Sequence, residues 1–140
     1  LFPYSSLFRS DVELESLEVK PNILLSTPMA MRLPLRWIAL LHGRINASLA
    51  ATSGIHRASD ALKMLMVGAD VTMLCSTVIR HGIPQIGMVE RDMIDWLEEH
   101  EYESVSQLKG SLSQKNCPEP AAYERAQYMK ALTGFAMPRT

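Results

Sequence analysis

Hydrophobic and polar positions change rhythm several times along the chain, and each rhythm predicts an element. In "DVELESLEV", residues 11–19, Val12, Leu14, Leu17 and Val19 alternate with mostly acidic side chains, with one slip. That period of two predicts one or two short strands with a wet face. Thr27-Pro28 is placed to start a helical turn, and Pro34 is expected to interrupt any long helix there. A firmer helix is predicted over 35–42, with Trp37, Ile38 and Leu41 on one side and Gly43 placed to stop it.

Next comes a short apolar strand over 47–52. The spacing of Ala58, Ala61, Leu62 and Leu65 then follows i, i+3, i+4, i+7 and predicts a helix over 57–67. Asp60 falls in its first turn, favourable for the helix dipole, and Gly68 suits its end. A second strand is predicted over 70–74. Gly82 and Pro84 precede a long helix to residue 99 whose apolar side is Ile86, Val89, Met93, Trp96 and Leu97. "YESVSQLKG" predicts a short helix closing at Gly110. The polar, proline-bearing link "SLSQKNCPEP" leads to a last amphipathic helix over 121–132.

Strand, helix, strand, helix with short connections is the signature of a parallel α/β unit, so the fold class is α/β. A right-handed crossover sets the two strands side by side with both C-terminal ends on one rim. The rim loops are "ATSGIH" and "LCSTVIRHG". Strands ~4.8 Å apart let backbone N–H groups from both loops converge on one anion. Small residues at Ser53, Gly54, Cys75 and Ser76 permit close approach, and the helix after Ile55 is expected to add its dipole. Small residues are also usual wherever α/β turns are tight. No G-x-G-x-x-G or G-x-x-x-x-G-K-[ST] pattern is present.

Composition narrows the picture. The chain has 140 residues, enough for one core, with 47% hydrophobic and 21% charged residues, the balance of a globular domain. A formal net charge of −1 gives no electrostatic case for nucleic acid or an anionic membrane as partner. The apolar run 62–79 is broken by Gly68 and Asp70 and is too interrupted to span a bilayer. Cys75 and Cys117 lie in unlike surroundings, and reduced thiols in a cytoplasmic protein are expected. Residues 1–10, "LFPYSSLFRS", resemble a translated sequencing adapter and are set aside as non-native. The protein is then expected to continue upstream.

"SLAATSGIHRASDALKMLMVGADVTMLCSTVIRHG", residues 48–82, resembles the last two strands of the dihydroorotate dehydrogenase family, FMN-dependent (β/α)₈ TIM barrels. Those proteins read "GTGGI", a helix with "D-A" near its start, "GA", then an apolar strand ending "GT". Thr52-Ser53-Gly54-Ile55 stands for the first loop and Cys75-Ser76 for the second. "HEYESVSQLKG" is similar to a segment beyond the last barrel helix. "RLPLRWIALLHGR" and "NCPEPAAYERAQYMKAL" look like a bacterial dihydroorotate dehydrogenase-like branch.

The resemblance implies that residues 11–112 are the C-terminal part of an FMN-binding barrel and 113–140 a tail with a helix. It implies an oxidoreductase turning dihydroorotate, or a similar small molecule, into orotate in pyrimidine synthesis. Thr52, Ser53, Gly54, Cys75 and Ser76 would bind FMN, and its phosphate would be held mainly by the backbone amides of the last four. The catalytic base is expected upstream, with no catalytic residue in these 140. Ser53 and Cys75 replace usual glycines, and a positive φ at either would cost roughly 1 kcal/mol. Two alternatives stand beside this: another barrel enzyme holding FMN or a phosphorylated substrate at the same rim, and a non-catalytic α/β interaction module. A partial barrel leaves strand edges unpaired, so homo-oligomerisation is an expectation.

Other residues carry plainer expectations. Cys75 is read as small and inert, Cys117 as a tail residue without zinc spacing, and no metal is expected from the scattered His42, His56, His81 and His100. His56 and His81 are expected near the rim. Met64, Met66, Met73, Met88 and Met93 sit mostly at core-facing spacing and need no cofactor, residues 98–101 read as a solvated helix end, and Arg32 and Arg36 as surface. Trp37 is expected to pack under the barrel wall.

Overall fold

A computed structural model of the protein describes residues 10–13, 15, 18–21, 24–120 and 123. The alternating acidic segment forms an antiparallel hairpin, β1 (Ser10–Glu13) against β2 (Glu18–Pro21), with Ser10 opposite Pro21. A 3-10 turn, Pro28–Met31, runs into helix α1 (Arg32–Leu41). Pro34 sits in the first turn of α1, where a missing N–H forfeits no intrahelical bond, so the helix begins before this proline rather than after it. Then follow β3 (Ala50–Ala51), α2 (Ala58–Met66), β4 (Val71–Thr72), α3 (Ser76–His81), α4 (Pro84–Glu99) and α5 (Val105–Leu108). A 3-10 turn, Gln114–Asn116, follows α5. The helix predicted over 121–132 lies outside the described residues except Tyr123, as does the set-aside segment except Ser10.

Strands β3 and β4 pair in parallel, Ala50 opposite Val71 and Ala51 opposite Thr72, with α2 as the crossover. The described residues are thus a mixed, mainly helical arrangement around a short parallel pair. Both strands are shorter than their apolar runs. The pair has a covered and a bare face. Ala51 is fully buried, and Leu49 and Leu74 pack with it against the helices, whereas Val71 and Met73 are 55% and 52% exposed on the other side. Met73 is therefore not a core residue, and neither is Met88. Ile86, assigned to the apolar side of α4, is also exposed, while Val89 is buried there and Met93, Trp96 and Leu97 are half-buried. Helix α3 lies inside the segment 74–82 expected as a rim loop and begins a few residues after β4.

The main core joins Met31, Ile38 and Ala39 with Ala51, Ile55, Ala61 and Met64. A second cluster gathers Leu62 and Leu65 of α2, Leu108 of α5, and Met93, Trp96, Leu97 and Tyr102. Between them, His42 ends α1 through its backbone N–H on Ile38 O, and its imidazole is closed in by two glycines. His42 Nδ1 lies 3.1 Å from the carbonyl oxygen of Gly68. A Cβ on Gly68 would overlap the ring, and a Cβ on Gly110 would overlap Nε2. Gly68 (φ +113°) closes α2 in a Schellman motif, its N–H on Leu65 O and Ala69 N–H on Met64 O, both 2.9 Å. Gly110 N–H and Leu112 N–H satisfy the end carbonyls of Leu65 and Met66 at 2.9 Å. One ring thus fills the space where three segments meet.

Asp70 ties the start of β4 to its neighbours. Its carboxylate accepts from Leu49 N–H at 2.7 Å and from Lys109 Nζ at 2.8 Å. The Lys109 hydrogen bond first, then the Leu49 N–H, hold the Asp70 carboxyl below its ordinary value.

Two outcomes are expected. Gly110→Ala should destabilise the fold by about 2 kcal/mol or more, since φ is +77° and its methyl meets the His42 ring. In a His42→Ala background the same change should cost measurably less, and urea unfolding of the four proteins gives the coupling. For Asp70, the folded carboxyl titrates below its unfolded value. Its contribution is complete above about pH 4 and is lost as pH falls through the folded value. The gap in urea midpoint between wild type and Asp70→Asn should therefore shrink on acidification, while staying constant from pH 5 to about pH 7.

Candidate functional site

The two loops at the strand ends meet, and a third segment joins them. A pocket of about 300 Å³ is lined by Thr52, Ser53, Gly54 and Ile55 after β3, by Met73, Cys75 and Ser76 after β4, and by Leu24 and Ser26 before the first 3-10 turn. All five sequence-predicted residues line it. Leu24 and Ser26 were not anticipated. The only local signal was a small polar pair, Ser26-Thr27, ahead of Pro28, and nothing in it indicated a long-range contact.

Backbone conformation explains how the first loop turns. Ser53 and Gly54 adopt φ of +78° and +75° in succession. Gly54 is required there for two reasons. Its φ is left-handed, and a Cβ would collide with the backbone nitrogen of Met31. Ser53 pays the strain foreseen for a side chain at a glycine position. Cys75 has φ of −113° and accommodates its Cβ without strain.

The amides divide into two sets. Gly54 N–H is engaged, donating to Ser26 Oγ at 3.1 Å. The N–H groups of Ser53, Cys75 and Ser76 have no acceptor among the described residues. The expectation of four free donors is thus corrected to three, because the hydroxyl of Ser26 reaches the fourth. Ser26 N–H donates to Ser76 Oγ at 3.0 Å, and the two hydroxyl oxygens are 2.8 Å apart. Of their two hydroxyl protons one forms that link and the other remains available. The cluster presents a net O–H donor beside three free amides, and every lining residue is uncharged. Such a surface suits an anion by oriented dipoles rather than by a countercharge.

The helix dipole does not contribute as expected. The carboxylate of Asp60, in the first turn of α2, accepts from His56 N–H and Arg57 N–H, both at 3.1 Å. Those amides and the positive end of the helix are already answered by a negative group. His56 is buried beside the rim but does not line the pocket; its carbonyl accepts from Thr77 Oγ1 and Gln85 Nε2 at 3.4 Å. His81 is exposed at the end of α3. Cys75 and Cys117 are free thiols. Among the described residues no group of three His, Cys, Asp or Glu is placed to hold a metal ion, and no helix is long and apolar enough to cross a membrane.

Compared with known proteins, the chain matches no family model and no curated protein.

The strain at residue 53 is testable. Ser53→Gly should stabilise the chain by about 1 kcal/mol, read from urea midpoints, because it relieves a left-handed side chain without removing a backbone donor.

Proposed function

We propose that the chain is part of an FMN-dependent oxidoreductase of the dihydroorotate dehydrogenase type and supplies the seat for the cofactor phosphate. The family likeness of residues 48–82 suggests it. The observation that carries it is three unengaged amides and a spare hydroxyl proton, gathered from both strand ends around one uncharged pocket. The residues fit the group. A phosphate accepts N–H donors through several oxygens at once, and no carboxylate lines the pocket to repel it. The loops after the last two strands are also where (β/α)₈ barrels recurrently bind phosphate.

The bare side of the strand pair favours the same reading. Parallel sheets occur with both faces covered, and here Val71 and Met73 await a covering layer. In this proposal the remaining barrel strands pack there and along the open edges. The chemistry that bound FMN would supply is hydride acceptance as dihydroorotate becomes orotate. The part of Ser53, Cys75 and Ser76 is to hold the phosphate through N–H groups. Ser26 orders the loop by accepting from Gly54, and its hydroxyl pair offers one more donor. The base that removes the substrate proton and the contacts to the flavin ring belong to upstream segments, so these residues alone carry no turnover.

A titration followed by amide NMR tests the proposal. Inorganic phosphate and FMN should shift the Ser53, Cys75 and Ser76 amides, and riboflavin, which lacks the phosphate, should bind at least about tenfold more weakly than FMN. Phosphate binding with no preference for FMN over a simple sugar phosphate would favour a phosphorylated substrate instead. Unmoved amides with all three probes would defeat the phosphate seat, and dihydroorotate oxidation by the isolated chain would defeat the division of labour.

A further inference from the structure

The fixed hydrogen-bonding groups of the strand-end pocket are nearly all donors. The N–H groups of Ser53, Cys75 and Ser76 are unengaged among the described residues. Ser26 Oγ already accepts from Gly54 N–H at 3.1 Å, and Ser76 Oγ accepts from Ser26 N–H at 3.0 Å. The 2.8 Å link between the two oxygens occupies one further lone pair. One hydroxyl proton and one lone pair are left between them. Three amides and that hydroxyl are thus set against a single fixed acceptor.

Such an imbalance is sensitive to the proton on a phosphate. The second ionisation of a phosphate monoester lies at about pH 6. Below it the ester carries a P–O–H group, which has to donate, and among these amides donor would face donor. Above it all three terminal oxygens accept, and each N–H···O bond strengthens with the added charge. Desolvation opposes the dianion only in part, because Thr52 and Cys75 are exposed and Ser53 is half-buried, so water reaches that side. A phosphodiester fits less well, having two terminal oxygens and one charge for the same donors.

We infer, on the basis of the phosphate seat proposed above, that the pocket selects terminal phosphate monoesters in their dianionic form and rejects phosphodiesters. Among the described residues Cys75 is the one titratable side chain lining it. The segment 21–31 on its third side carries no charged residue. After β3 come the buried His56, the exposed Arg57, and Asp60, whose carboxylate accepts from both their amides. Arg80 and His81 are exposed in the last turn of α3. Titration of any of these groups would alter the binding of every anion alike. The selectivity inferred here acts only on an anion that itself takes up a proton.

Amide NMR titrations of the full 140-residue chain with methyl phosphate, dimethyl phosphate and sulfate, from about pH 5 to about pH 7.5, test it. Methyl phosphate should bind about tenfold more tightly at the upper end than at the lower, levelling off once the ester is fully ionised. Sulfate, a dianion throughout, should change by less than about twofold over the same range. Dimethyl phosphate should bind at least about tenfold more weakly than methyl phosphate at about pH 7.5. Methyl phosphate binding that stays level or falls with rising pH would overturn the inference while leaving the seat intact. So would sulfate binding that rises in parallel, which assigns the titration to the protein, or a diester that binds as well as the monoester. Ser53, Cys75 and Ser76 amides unmoved by every anion would defeat the seat itself, and the inference with it.

Discussion

The approach of Gly54 to the chain ahead of α1 is the contact on which the pocket depends. Two segments 28 residues apart touch there backbone to backbone, with Gly54 N–H on Ser26 Oγ and no room for a Cβ against Met31. Once that contact forms, Ser26 also reaches Ser76, so one hydroxyl joins both strand-end loops and the segment that precedes α1. The loop after β3 thereby forms one wall of the pocket. The strained Ser53 belongs to the same turn, left-handed like Gly54 beside it.

Farther from the rim, packing is decided by a ring and two glycines. His42 occupies space that side chains at 68 and 110 would fill, and the carbonyls at the end of α2 are answered by Gly110 and Leu112. This brings α5 onto α2 and completes the second cluster around Leu65 and Leu108. The helices thereby cover one face of the strand pair well and leave the other open. Burial is lopsided: Ala51 is sealed while Val71 and Met73 face solvent.

That lopsidedness links stability to the functional proposal. Strands of two residues each contribute few ladder bonds, and their placement relies on the helices and on Asp70 at the start of β4. The pocket sits at the C-terminal ends of the strands, away from Asp70, where Ser26 joins the two strand-end loops.

Local periodicity settled much of this protein in the sequence. Helices α2 and α4, the short strands of the alternating acidic segment, the short α5 and the order strand, helix, strand were legible because each depends on spacing within a few residues. So were the five pocket residues, since small side chains at strand ends follow from the need for tight turns. Tertiary structure alone decided what lies across from each element. Trp37, Met73, Met88 and Ile86 read as core because hydrophobicity does not say which face finds a partner. Ser26 and the pairing of His42 with Gly68 and Gly110 were invisible for the same reason. Such contacts join positions 26 to 76 or 42 to 110, and no pattern along the chain encodes which distant residue will arrive to take a donor or fill a space.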